Sequence, residues 1–365
     1  MSQISVNDIT SLDGKSGPVI SGITTVSSTG YMMIPAGPTE YRGGRGRGIF
    51  GGGYGAASPY PELATMDYVQ IATTGQGYDF GDLVQPATVG GATASSTRGL
   101  FFAGRSPGPT NSYNVIQYIT ISSTGNAFDF GDLTYKPTTG FGASDNTRAV
   151  FAGGYNSISP YSGPEGVGSA NYNIDYTTIA STGNASNFGE LTIGRSTGFY
   201  ASSPTRGVFG GGRKTLSTHS AGITYTNVID YITIQSEGNA IDFGDLVAED
   251  TDSFRGNAGN SSTRAIICSG SGTGPGAGDN ELTYITLASK GDAIDFGDSI
   301  DATAGTGGSG TSNQTRGVYR PASGFADAAL ETVIIATLGN STAFGDLNDG
   351  RRVYGSLSDA HGGLG

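Results

Sequence analysis

Residues 227–246 read Asn-Val-Ile-Asp-Tyr-Ile-Thr-Ile-Gln-Ser-Glu-Gly-Asn-Ala-Ile-Asp-Phe-Gly-Asp-Leu, and the fold follows from this stretch. From Asn227 to Ile234, Val228, Asp230 and Ile232 alternate with Ile229, Tyr231 and Thr233, the two-residue period of a strand. Ser-Glu-Gly-Asn then turns the chain, with Gly238 able to take positive φ at no steric cost. A further strand, Ala240-Ile241-Asp242-Phe243, ends at Gly244-Asp245-Leu246.

The same text recurs six times. Counting from Gly75, Gly125, Gly183, Gly238, Gly291 and Gly339, a phenylalanine follows five residues later in every unit: Phe80, Phe130, Phe188, Phe243, Phe296 and Phe344. Seven residues before the glycine stands Tyr68, Tyr118, Tyr176, Tyr231 or Tyr284, with Thr332 in the sixth unit. Two more strands complete each unit, as in the small-residue stretch Gly198 to Ser202 and in Arg206 to Gly211. No helical periodicity runs through the repeats, so the fold class is all-β. Four-stranded units repeated radially leave only short edges, which makes a six-bladed β-propeller the expected architecture. The six phenylalanines are the expected fillers of the slots between blades.

The chain enters the first blade at a second strand, Gly48 to Gly53, so the missing first strand is expected from about Arg352 to Ser358. A seven-blade count is the alternative. Thr24 to Gly30 copies a third strand and its turn, and His361 to Gly365 would then stand for a degraded second strand. Against it, Pro35 occupies the place of the phenylalanine, and proline donates nothing to a strand ladder. Residues 1–43 are expected to form an arm outside the repeats, and 44–365 the propeller.

A net charge of −12 over 365 residues disfavours a nucleic-acid partner, because phosphates need a basic face. Arg42, Arg45 and Arg47, set among glycines, read as a turn rather than a phosphate site. No stretch approaches the length of an apolar membrane span, and the opening MSQISVNDIT has no secretory-signal pattern. The chain therefore reads as soluble, without membrane insertion. Its one cysteine, Cys268, follows Ile266 and Ile267 and is expected as a buried strand thiol.

Catalytic chemistry finds little to work with. Asp-Phe-Gly at 79–81, 129–131, 242–244 and 295–297 spells the magnesium triplet of kinases, but none of the other kinase elements accompanies it. The aspartates are expected to accept backbone N–H bonds at the strand end, and pairs such as Asp242 and Asp245 lack the ligand density of a calcium loop. Two histidines, His219 and His361, assemble neither a metal site nor a Ser-His-Asp set. No metal, cofactor or catalytic residue is nominated, and a binding or structural module is expected rather than an enzyme. The remaining enzymatic alternative is a carbohydrate-active enzyme using carboxylates, tyrosine and arginine.

Spacing varies unevenly around the ring. Gly75 to Arg98, Gly125 to Arg148 and Gly183 to Arg206 are equal in length, whereas the halves running from arginine to the next glycine differ widely. The excess lies between second and third strands, as in Tyr155 to Ala170 and Arg213 to Tyr225, in loops that emerge on one face. They carry the candidate binding residues Tyr54, Tyr60, Arg105, Tyr113, Tyr155, Tyr161, Tyr172, Arg213 and Lys214. Tyrosine among Ser, Gly and Asn is the mixture adaptable binding loops use; the alternative is tolerated length without a ligand. Arg98, Arg148, Arg206, Arg264 and Arg316 are expected on the opposite face, either bonding carbonyls at blade junctions or forming an anion-docking ring.

Val-Phe-Gly-Gly-Gly at 208–212, the aromatic strand after it, and Phe243 where kelch repeats usually carry tryptophan resemble the kelch family over about residues 45–360. The complete absence of Trp departs from that pattern, so the repeats are kelch-like. Gly-Pro-Thr-Glu-Tyr-Arg-Gly-Gly-Arg-Gly-Arg-Gly-Ile-Phe-Gly-Gly-Gly at 37–53, with the 229–234 and 238–246 motifs, resembles kelch-like virion proteins of marine tailed bacteriophages, cyanophages especially. The opening Ser-Val-Asn-Asp-Ile-Thr-Ser-Leu-Asp-Gly looks like the virion-attachment end of phage fibre and tail proteins. The resemblance implies a component of a phage tail, fibre or capsid decoration, assembled in the host cytoplasm. Residues 1–43 would dock onto other virion proteins, and the propeller would meet a host-surface glycan or receptor. A non-viral scaffold or adaptor propeller is the other reading.

Overall fold

The computed structural model describes residues 46–55, 61–105, 112–155, 170–214, 224–247, 256–268, 280–300, 309–321, 327–353 and 355–365. They belong to one compact unit, Gly46–Gly365; the expected arm and the Thr24–Gly30 segment lie outside the described residues.

That unit is a propeller of six antiparallel four-stranded blades. From the axis outward, blade 2 is Gly91–Ala94, Arg98–Gly104, Tyr113–Thr120 and Phe128–Asp132, and blade 3 is Phe141–Ser144, Arg148–Ala152, Asn173–Thr178 and Ser186–Glu190. Blade 4 is Phe199–Ser202, Arg206–Gly210, Val228–Thr233 and Ile241–Asp245. Blade 5 is Gly256–Asn260, Arg264–Cys268, Glu281–Thr286 and Ile294–Asp298. Blade 6 is Ser309–Ser312, Arg316–Arg320, Ala329–Ile334 and Thr342–Asp346. Blade 1 contributes Arg47–Gly55, Glu62–Gln70 and Tyr78–Asp82 and borrows its innermost strand, Gly355–Ser358, from after blade 6. There Ile49 faces Leu357 and Gly48 faces Ser358, so the ring closes at six. The seven-blade alternative fails at the other end as well: residues 362–364 form a 3-10 turn, not a strand.

Hydrophobic burial is organised between blades. Phe243 of blade 4 packs with Ala265, Ile267, Ile285, Leu287 and Ala293 of blade 5, and Phe344 of blade 6 packs with Phe50, Val69 and Ile71 of blade 1. Phe80, Phe130, Phe188 and Phe296 occupy the other four junctions in the same way. All six are at most 4% exposed. In five blades the repeat tyrosine meets the phenylalanine edge-on, with ring centroids 5.9–6.1 Å apart, a favoured aromatic geometry. Cys268 is buried at the end of its strand.

The outer edge of each blade is covered by the next. Gly125 N–H donates to the Phe80 carbonyl at 2.7 Å and Ala127 N–H to the Asp82 carbonyl at 2.8 Å. The same two bonds recur at every junction, ending with Gly75 to Phe344 and Gly77 to Asp346. The residue after each turn glycine adds a side-chain acceptor: Asn126 takes Asp82 N–H at 3.1 Å, and Asn184, Asn239, Asp292, Asn340 and Gln76 repeat the contact. The donor is the main chain of the residue after the glycine of Asp-Phe-Gly, Asp82 in blade 1. This close approach also explains the glycine of Asp-Phe-Gly. Gly131 has φ +147°, and a Cβ there would stand 2.3 Å from the Gly183 carbonyl oxygen.

The innermost strands end in a polar collar around the axis. Ser144 Oγ donates to the Ala94 carbonyl at 2.8 Å, Asn260 Nδ2 to Ser202 at 2.5 Å, Ser312 Oγ to Asn260 at 2.8 Å, and Ser358 Oγ to Ser312 at 2.5 Å. Small hydroxyl residues let six strands converge while satisfying carbonyls that no neighbouring strand pairs. Farther in, the Tyr200 hydroxyl crosses from blade 4 to the Ser356 carbonyl of blade 1 at 3.4 Å. What is left is an axial cavity of about 20 Å³, room for one water.

Replacing Phe243 with alanine should cost about 3–5 kcal/mol by cavity formation, measured by chemical denaturation. Gly131→Ala should destabilise more than Gly125→Ala. Both have positive φ, worth about 1–3 kcal/mol of strain, but only Gly131 faces backbone, whereas nothing lies within 4 Å of a Cβ at Gly125. Equal losses would mean that the close approach between blades contributes nothing.

Candidate functional site

The second strand of each blade runs from an arginine at one face to a loop at the other, so the two faces differ chemically. On the arginine face, Arg98 Nη1 donates to the Ile179 carbonyl of the next blade at 2.8 Å, and its guanidinium lies 4.6 Å from the Tyr118 ring centroid. Arg148, Arg206 and Arg264 repeat both contacts, reaching Ile234, Leu287 and Ile335. Arg316 reaches Ile71, but Thr332 replaces the tyrosine and donates instead to the Gly317 carbonyl. The sixth member is Arg47, which begins a strand, donates to Ile121 at 2.8 Å and stacks 4.5 Å from Tyr68. Its reading as part of a turn is corrected. The signal was present: Arg47 stands before Gly48 as Arg98 stands before Gly99.

On the loop face, the end of blade 1's second strand carries Tyr54, and Arg105 follows the second strand of blade 2. Arg105 Nη1 donates to the Tyr54 hydroxyl at 3.1 Å, its guanidinium lies 5.9 Å from that ring, and Nε stands 3.5 Å from Glu62. The Arg105 side chain is still 52% exposed, so this stack keeps an accessible edge. A second stack spans blades 3 and 4. Arg213 and Lys214 pair through their main chain with Tyr225 and Thr224, which sets the Arg213 guanidinium 5.8 Å from the Tyr155 ring. Tyr155 is fixed by a bridge to Ala170, and Tyr172 stands half-exposed at the base of the same loop. Tyr113 pairs with Gly104 at the base of blade 2's loop. Tyr60 and Tyr161 lie outside the described residues. The structure thus brings Tyr54 to Arg105 and Tyr155 to Arg213, over separate blade junctions.

Below this face lies a set of residues that the sequence reading passed over. The third strand buries a polar side chain one position before the tyrosine: Asp67, Gln117, Asp175, Asp230, Thr283 and Glu331, each at most 4% exposed. Each of four catches the chain leaving the preceding blade. Gln117 Oε1 accepts Val84 N–H at 2.6 Å, Asp175 accepts Thr134 N–H at 2.7 Å, Asp230 accepts Thr192 N–H at 3.1 Å, and Glu331 accepts Ile300 N–H at 3.2 Å. Asp230 also pairs with buried Arg195, and Asp67 with buried Arg351, both at 2.6 Å. Burial raises the Asp67 carboxyl, with Arg351 pulling it down, and burial likewise raises Asp175 against the Thr134 hydrogen bonds. The buried Thr283 hydroxyl has no hydrogen-bond partner among the described residues. The sequence signal for this set was an aspartate inside an otherwise apolar strand, in Met-Asp-Tyr and Ile-Asp-Tyr.

The outer rim is patterned too. Tyr78, Phe128, Ile241 and Ile294 are more than half exposed at equivalent positions, where blades 3 and 6 carry Ser186 and Thr342. Among the described residues no group of three or more His, Cys, Asp or Glu side chains is placed to hold a metal.

The two classes of arginine should separate in stability. Arg195→Ala strands the Asp230 charge in the interior and should cost about 3–5 kcal/mol. Arg105→Ala removes an exposed pair and should cost no more than about 1 kcal/mol. Chemical denaturation of the two variants measures both.

Compared with known proteins, the chain matches no family model and no curated sequence.

Proposed function

We propose that the chain is a non-enzymatic structural component of a bacteriophage particle, a kelch-like propeller that meets protein or host-surface glycan through its loop face. The observation that carries this reading is the difference between the faces. The arginine face is used up by equivalent bonds between blades, whereas the loop face carries connections of individual length and two partly open arginine–tyrosine stacks. A rigid ring with variable loops on one side suits recognition, and tyrosine with arginine suits sugar rings and protein partners. A contact role rather than catalysis agrees with the interior carboxylates. Glu331 already accepts from Tyr319, Ser299, Ser341 and Ile300, and Asp230 from Arg195 and Thr192. The particle context rests on the resemblance of residues 37–53 and of the repeat text to phage virion proteins.

Purified particles of the phage that encodes this chain should contain it. Shortening the segments 156–169 and 215–223 should leave thermal unfolding within about 0.5 kcal/mol of the parent, the usual range for changes away from core packing and buried networks. The same change should lower adsorption to host cells by tenfold or more. Unchanged adsorption would remove the loop face from recognition. Absence from particles, with retained capture of a host protein, would make the chain an adaptor propeller instead.

A further inference from the structure

The segment 359–365, after the closing strand of blade 1, folds over the arginine-face end of the axial cavity, which His361 lines. Asp359 Oδ1 accepts Gly46 N–H at 2.5 Å and Arg47 N–H at 3.0 Å, tying the segment to the start of blade 1's second strand. Gln314 Nε2 of blade 6 donates to the His361 carbonyl at 3.1 Å. Gly362 and Gly363 lie so close to the Ser261 and Ser144 carbonyls that a Cβ on either would overlap backbone.

His361 is the centre of this packing and is buried. Its Nδ1 accepts Gly363 N–H at 3.1 Å, so the ring proton sits on Nε2, which points at the Ala94 carbonyl 2.8 Å away and Ser144 Oγ at 3.3 Å. A second proton would have to go on Nδ1. It would face an N–H donor, break the cap of the 362–364 turn, and place a charge in the interior. The surroundings offer limited compensation. Asp145, on the turn between the first two strands of blade 3, is the carboxylate acting on the imidazole. From blades 2, 4, 5 and 6 the neighbouring groups are Ala94, Ser202, Asn260 and Gln314, none of which titrates. Asp359, on the same segment, is already bonded to blade 1.

We propose that residues 359–365 are a proton-released stopper of the axial cavity, seated while His361 is neutral and expelled when both ring nitrogens carry protons. Release uncovers the polar collar of Ser144, Ser202, Asn260, Ser312 and Ser358 and, through Asp359, slackens the closure of blade 1. Burial holds the seated imidazole down to about 4, against the raising pull of the Ala94 carbonyl and Asp145; free in solvent it titrates near 6.5. The released form therefore takes the proton first as pH falls. The neutral imidazole's contribution to seating is present in full above about pH 6.5 and is lost progressively as the pH drops toward about 4. Asp145 works in a lower window. Burial raises it, but the Arg148 N–H, Gln235 and Thr147 hydrogen bonds outweigh that and hold its carboxyl below the usual value.

Amide exchange of residues 359–365 in the full chain, corrected for intrinsic rate and followed by mass spectrometry, tests this. Protection should fall by roughly tenfold per pH unit between pH 6 and 4.5. In His361→Gln, which keeps a donor toward Ala94 but cannot titrate, protection should not depend on pH. A flat profile in the native chain overturns the proposal. So does an equal fall in His361→Gln, which would assign the effect to the carboxylates. If the variant does not fold, an NMR titration of the native imidazole decides: an ordinary value near 6.5, with the segment still protected, also overturns it.

Discussion

The outermost strand of each blade exposes a row of peptide N–H and C=O groups with no fifth strand to pair them, and the turn of the neighbouring blade is built to cover that row. Two main-chain bonds and one side-chain acceptor per junction do this. Each bond is worth only about 0.5–1.5 kcal/mol net, whereas a buried peptide group left unpaired costs about 1–3 kcal/mol. The contact therefore acts mainly by preventing a penalty and by aligning the blades. Adhesion comes from the phenylalanine beneath, whose burial contributes about 1.5–3 kcal/mol at each of six junctions. Phenylalanine, turn glycine and strand glycine thus form one unit, and moving any of them breaks the other two.

That unit explains what could be read in advance. The offset from Gly238 to Phe243 and the alternation through Tyr231 are local, and local text was enough for strands, blade number and the closing strand. The correction concerns a residue whose partner sits in another blade. Arg47 looks like a turn residue until Ile121 is seen to receive it. Asp230 was visible on the strand, but its purpose depends on Arg195 and Thr192, which lie far enough away in sequence that only closure brings them near. Tyr54 and Arg105 were both named from the loops, yet their pairing across a blade junction is a property of the ring, not of either loop.

The two faces divide the constraints. At the arginine face all six arginines bond a carbonyl of the neighbouring blade, and five of them also stack on the repeat tyrosine. At the loop face the strands have already been paired and the exits tied down by Gln117, Asp175, Asp230 and Glu331.

The pairing of Ile49 with Leu357 imposes an order of events as well as a shape. Blades 2 to 6 are each contiguous in sequence and can form as their strands are made, but blade 1 must wait for residues 355–358. Until then its second strand keeps an open edge, and the junctions on both of its sides lack a wall. Closing so long a loop adds little free energy, because the entropy of closure grows only with the logarithm of its length. It does make the closing pair among the most non-local contacts of the fold, the kind that slows folding. The ring should therefore behave kinetically as a five-blade arc with one late step, and during that interval the open edge is its main route to aggregation.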